Sequence, residues 1–143
     1  MTSLRVWTAR LTYRGDDRLD ITWKTGGTAG RAFGPTYSIL MPALHARADA
    51  KELRAAGRKR EAAEFEEAAW ATYEPAYVAL MRKSYRELPS AWRPLLEREE
   101  VTLVCYCPRR ERCHRGLLAG ILTKLGAQDM GERYVPPTSR AIP

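Results

Sequence analysis

Cys105, Cys107, Cys113 and His114 are the side chains of this chain with the most chemistry to offer, and they fall within ten consecutive positions. Arg109, Arg110, Arg112 and Arg115 are interleaved with them, so the segment Cys105 to Arg115 collects thiols, an imidazole and four guanidinium groups. Three chemistries fit such a set. Four like charges within seven residues repel, so they call for an anionic ligand or for the carboxylates of Glu111 and Glu132. A cysteine at a helix start beside His114 and cations has a stabilised thiolate, which makes Cys113 a nucleophile with Cys107 as a partner thiol. Cys107, Cys113 and His114 are also zinc or iron ligands by type. Their spacing lacks the C-x(2–4)-C…H-x(3–5)-H pattern, and neighbours on one helix point about a third of a turn apart. No metal or other cofactor is therefore expected, and Cys105 reads as a small core residue.

The elements that position this segment are the clearest in the chain. Val101 to Cys107 is an unbroken apolar run, as in a strand of a parallel sheet covered on both faces. Gly116 to Leu125 puts Leu117, Leu118, Ile121, Leu122 and Leu125 on one helical face, with Gly126 as its stop. Strand, basic loop and helix make half of a parallel α/β unit, whose ligands gather beyond the carboxyl ends of the strands. The helix start adds free N–H groups suited to an anion.

Upstream, residues 4–13 and 19–23 read as strands separated by the turn Arg14-Gly-Asp-Asp17. Residues 24–30 read as a glycine-rich loop without a dinucleotide or P-loop fingerprint. Residues 44–88 form a helical insertion, interrupted at Gly57 and marked by Pro75 as a kink or a fresh start. Its stripe of Phe65, Ala69, Trp70, Tyr73, Tyr77, Leu80, Met81 and Tyr85 has helical spacing. That stripe reads as a core face, with base stacking as the alternative. Pro89 to Pro94 reads as a connector and residues 135–143 as an extended tail.

The whole is one small α/β domain of 143 residues, a mostly parallel sheet flanked by helices. With 45% hydrophobic and 29% charged residues it is globular rather than disordered. No apolar run reaches the roughly 20 residues that span a bilayer, no secretory leader opens the chain, and three clustered cysteines suit a reducing compartment. A cytoplasmic location without membrane contact is expected. The net charge of +7 favours an anionic small molecule or nucleic acid as partner.

The segment also resembles a known family, the uncharacterised proteins grouped as domain of unknown function 488. The resemblance rests on the apolar strand Val101-Thr-Leu-Val-Cys-Tyr-Cys-Pro and on Cys113-His-Arg-Gly-Leu-Leu-Ala119. Leu19-Asp-Ile-Thr22 is similar to the family's early aspartate-bearing strand, with Thr22 where an arginine is usual and Cys107 where an acidic residue is common. The resemblance implies a small α/β domain with Cys113, His114 and Arg115 at a shared pocket.

Together these readings give an expected enzyme of nucleoside, nucleotide or nucleic-acid chemistry. Cys113 or Cys107 would be its reactive thiol, His114 its proton shuttle and Asp20 an orienting carboxylate, with Arg109, Arg110, Arg112, Arg115 and Glu132 around the ligand. A non-catalytic module that sequesters an anionic molecule, or a metal-supported structural or redox protein, are the alternatives.

Overall fold

A computed structural model describes residues 2–136, so the expected tail lies almost wholly outside the described residues. Four strands, β1 (Arg5–Arg10), β2 (Arg18–Asp20), β3 (Glu100–Cys105) and β4 (Gln128–Glu132), form one parallel sheet in the order β2-β3-β1-β4. Parallel neighbours need crossovers, and helices supply them. Between β2 and β3 run α1 (Gly27–Arg31), α2 (Tyr37–Ala55), α3 (Lys59–Glu87) and α4 (Pro89–Leu96). A 3₁₀ turn at Arg110–Arg112 and α5 (His114–Lys124) connect β3 to β4. Because β3 and β4 flank β1, α5 crosses over β1 and packs on all three.

Side chains alternate across a strand, and the alternation sorts the core. Val6, Leu19, Val101 and Leu103 point to the helical face and join Leu118, Leu122, Tyr77, Met81 and Trp92 in the buried core. On the other face, Trp7 and Thr102 meet a polar cluster. Arg133 lies 4.0 Å above the Trp7 ring and donates to Thr102. The inner strand β3 is buried at five of its six residues, as its apolar run requires.

The expected α/β class and its parallel sheet are what the structure has, but several boundaries differ. The first strand stops at Arg10 and the second at Asp20, and β3 ends at Cys105, leaving Cys107 in the loop. The helical insertion starts at Tyr37 instead of 44, with Pro42 inside α2. Pro75 likewise lies inside an unbroken α3, since Tyr73, Tyr77 and Met81 on either side are anchored in the core. The break falls at Gly57, whose φ of 79° suits a residue without Cβ. Residues 89–94 are helical rather than a connector: Pro89 opens α4, where a missing N–H costs little. β4, polar and at the sheet edge, lacks the apolar run that marks β3.

The glycine-rich stretch after β2 is ordered too. α1 packs so closely that a Cβ on Gly30 would lie 1.6 Å from the Asp20 carbonyl oxygen. Glycine there sets how near α1 comes to the sheet. No helix among the described residues is long and apolar enough to cross a membrane.

Candidate functional site

The carboxyl ends of β2 and β3 open into a cleft of about 600 Å³, roofed by α2 and α3. This is where a parallel sheet places ligands. Trp23, Trp70, Tyr73 and Tyr106 supply its aromatic surface, and Lys24, Arg47 and Arg112 its cations. Cys107, Cys113 and His114 are on its wall as well. The aromatic stripe of α3 therefore divides by position. Tyr77 and Met81 are core residues, Trp70 faces the cleft, and Tyr73 does both.

Each expected site residue has a definite place. Asp20 ends β2 and caps the following turn, accepting hydrogen bonds from the Thr22 backbone N–H at 2.9 Å and from the Thr25 hydroxyl. Burial alone would raise its pKa. The Thr25 and Thr22 hydrogen bonds outweigh that and leave the carboxyl below its ordinary value. Asp20 thus orients the turn that carries Trp23 and Lys24 into the cleft.

Cys113 caps α5 in an extended conformation, φ −146° and ψ 148°, and His114 is the first helical residue. The two are consequently not neighbours on one helical surface, and their side chains converge. Cys113 Sγ lies 3.9 Å from His114 Nδ1. His114 Nε2 lies 2.8 Å from the Ile21 carbonyl oxygen. Only an N–H satisfies a carbonyl, so the proton sits on Nε2 and the Nδ1 lone pair faces the sulfur. Burial pushes the imidazole pKa down to about 4, assisted by the Arg115 charge and opposed by the Ile21 hydrogen bond. A base that weak is a poor proton shuttle at neutral pH, where the best catalytic pKa lies near the working pH.

Cys105 is fully buried, as a core residue should be, but it also belongs to the cluster. Its sulfur touches that of Cys113. Cys107 is free and half-buried, with Arg47 Nη2 3.4 Å from its sulfur.

The arginines are mostly engaged by protein carboxylates. Arg115, with no exposed side-chain surface, donates to both oxygens of Glu132 at 2.8 and 3.3 Å. Its Nη1 also reaches the Cys107 carbonyl at 2.7 Å, Cys105 Sγ at 3.1 Å and Cys113 Sγ at 3.6 Å. Arg110 grips Asp129 with both Nη atoms, and Arg112 pairs with Glu67. Arg109 is exposed. Glu132 therefore supports Arg115 and the Thr8 hydroxyl. The expectation that carboxylates balance the arginines holds for Glu132. Asp129 and Glu67 take the remaining share, and only the fold brings them near.

The Arg110 pair yields a pH prediction. The guanidinium holds the Asp129 carboxyl below its ordinary value of about 3.9. The pair's stabilisation is complete above that value and lost as pH falls through the lowered one. Asp129→Asn should cost about 1 kcal/mol in urea unfolding at neutral pH, and nothing once both forms are protonated. An equal cost at both pH values would rule the ion pair out as the cause.

The fold and site together define a small parallel α/β protein with a Cys-His-Arg centre at a strand-to-helix junction. A family model described as the Active DUF488-N3 subclade matches residues 3–126, and the chain belongs to the DUF488 family. No curated protein and no solved structure matches it.

Proposed function

We propose that this protein is an enzyme acting on a nucleotide, nucleoside or nucleic-acid end, with the ligand's base held in the cleft beneath α2 and α3. One observation carries the reading. Aromatic faces, cations and a free thiol share a single cleft at the carboxyl end of a parallel sheet. A planar base stacks on Trp70 and Tyr73, or on Trp23 and Tyr106, which line the same cleft. Stacking of this kind is worth about 1–3 kcal/mol per base. Lys24 and Arg47 then take the phosphate, since Arg110, Arg112 and Arg115 are engaged by carboxylates.

Cys107 is the better reactive thiol, because it is free, lines the cleft and stands beside the Arg47 guanidinium. Cys113, 2% exposed and against Cys105, serves the cleft floor. The matching subclade is described as active, which agrees with an enzymatic role.

A thermal-shift screen of nucleotides tests the binding. A ligand at 100 times its Kd should add about 2.7 kcal/mol of stability. Trp70→Ala should weaken that ligand roughly 5- to 150-fold, the equivalent of one lost stacking contact. Cys107→Ser should bind normally and turn nothing over. Stabilisation by none of the nucleotides would sink the proposal, and a Cys107→Ser variant with full turnover would remove the thiol from it.

A further inference from the structure

We infer that Cys105, Cys113 and His114 form a three-ligand site for a thiolate-loving divalent ion, zinc first, at the floor of the cleft. The inference rests on the cleft being the working site and adds a second reactive element to it.

The ligand atoms of these three buried residues all lie within 4.8 Å of one another. Two thiolates and an imidazole are a soft set that suits zinc, with Zn–S near 2.3 Å and Zn–N near 2.0–2.1 Å. The objection from sequence was that residues 113 and 114 would diverge on a helix. It fails because Cys113 lies outside α5 in extended backbone.

Three details of the surroundings match a metal site better than a plain core or a disulfide. The Cα atoms of Cys105 and Cys113 are 8.0 Å apart, beyond the roughly 4.4–6.8 Å that a disulfide spans. The Nε2–H of His114 is held by the Ile21 carbonyl, which fixes the tautomer and aims Nδ1 at the sulfurs, the usual support for a ligating histidine. Arg115 Nη1 approaches both sulfurs, and N–H donors of that kind stabilise thiolates.

Charge closes the argument. Binding displaces two thiol protons to solvent and transfers no electrons, so one divalent ion with two thiolates is neutral. The neighbouring Arg115–Glu132 pair is neutral as well. A buried site of zero net charge avoids the cost of an unpaired interior ion. Cys113 and His114 line the cleft whereas Cys105 does not, so the remaining coordination position is on the cleft side. That is the open geometry of catalytic rather than structural zinc.

The test uses the full chain, purified with reductant, stripped with a chelator and titrated with zinc against a chromogenic competitor. Expected is one ion per chain in the wild type. Cys105→Ser, Cys113→Ser and His114→Asn should each weaken it by at least about 100-fold, beyond the 10- to 100-fold typical of a lost supporting contact. Cys107→Ser should bind as the wild type does. Cobalt(II) added to the wild type should give a sulfur-to-cobalt charge-transfer band, which keeps the test alive where a variant fails to fold. Absence of that band, equal zinc binding by all variants, or a Cys105–Cys113 disulfide that persists in the reduced protein would each overturn the inference. The nucleotide thermal-shift screen on chelator-treated protein separates the two proposals. Nucleotide binding without zinc binding removes this inference alone, and zinc binding without any nucleotide shift removes the proposed ligand alone.

Discussion

Arg115→Met should cost about 3–4 kcal/mol in denaturant unfolding of the reduced, metal-free protein. The methionine roughly keeps the volume, so the loss is electrostatic and polar. Arg115 has no exposed side-chain surface and makes two hydrogen bonds to Glu132, one to the Cys107 carbonyl and two contacts to sulfur. Removing one partner of a buried pair costs about 3–5 kcal/mol, mostly for the charge left behind. Here the charge left is Glu132, whose side chain is 30% exposed. Water relieves part of the penalty, and the lower half of the range applies.

A double-mutant cycle with Glu132→Gln separates the terms. The double variant should regain about half of the loss, because the Cys107 carbonyl still lacks its donor. Arg115→Lys should fall between wild type and Arg115→Met, since an ammonium cannot span both Glu132 and Cys107. A loss below about 1 kcal/mol in Arg115→Met would mean that the guanidinium does not hold the loop after β3.

The roles of this arginine show where the sequence is readable and where it is not. The strand before it and the helix after it are visible because an inner parallel strand is apolar throughout and α5 has a regular buried face. A cluster of cations at their junction is visible too. What each cation does is hidden, because the deciding partners, Glu67 on α3 and Asp129 and Glu132 on β4, are far away in the chain. β4 itself goes unseen for a related reason. It pairs only with β1 at the sheet edge, so it needs no apolar run.

The cleft follows the same pattern. Cys107, Cys113 and His114 are recognisable as chemical groups, and the carboxyl end of the sheet is the expected location. The walls come from α2 and α3, and no local pattern separates a wall aromatic such as Trp70 from a core aromatic such as Tyr77. Helical spacing is identical for both. Only the point along α3 at which the sheet stops and the cleft begins tells them apart. Cys105 misleads in the opposite direction: a buried cysteine on a strand looks inert until β3 and α5 bring its sulfur to Cys113.

Trp92→Ala should be about as destabilising as Arg115→Met, by about 3–5 kcal/mol, and should also loosen the cleft from a distance. Trp92 on α4 is 1% exposed and is the largest fully buried side chain. Its ring meets Phe33 edge-on at 4.9 Å, and its Nε1–H donates to Ser84 Oγ at 2.9 Å. Ser84 donates in turn to the Ala32 carbonyl, and Tyr77 donates to the Phe33 carbonyl at 2.6 Å. Residues 32 and 33 form the turn between α1 and α2, and Pro35, just beyond, lines the cleft. The indole is thus the last link of a chain from α4 through α3 to the segment that hangs α2 over the site. Alanine leaves a cavity and removes the ring against Phe33. Trp92→Phe fills most of that volume but leaves the Ser84 oxygen without its donor, so it should cost about 1–2 kcal/mol. Hydrogen exchange decides whether the effect travels: amides of α2 near Leu40 should exchange faster in Trp92→Ala than those of β3 at equal global stability. Uniform acceleration across both elements would show that Trp92 stabilises the core without setting the roof of the cleft.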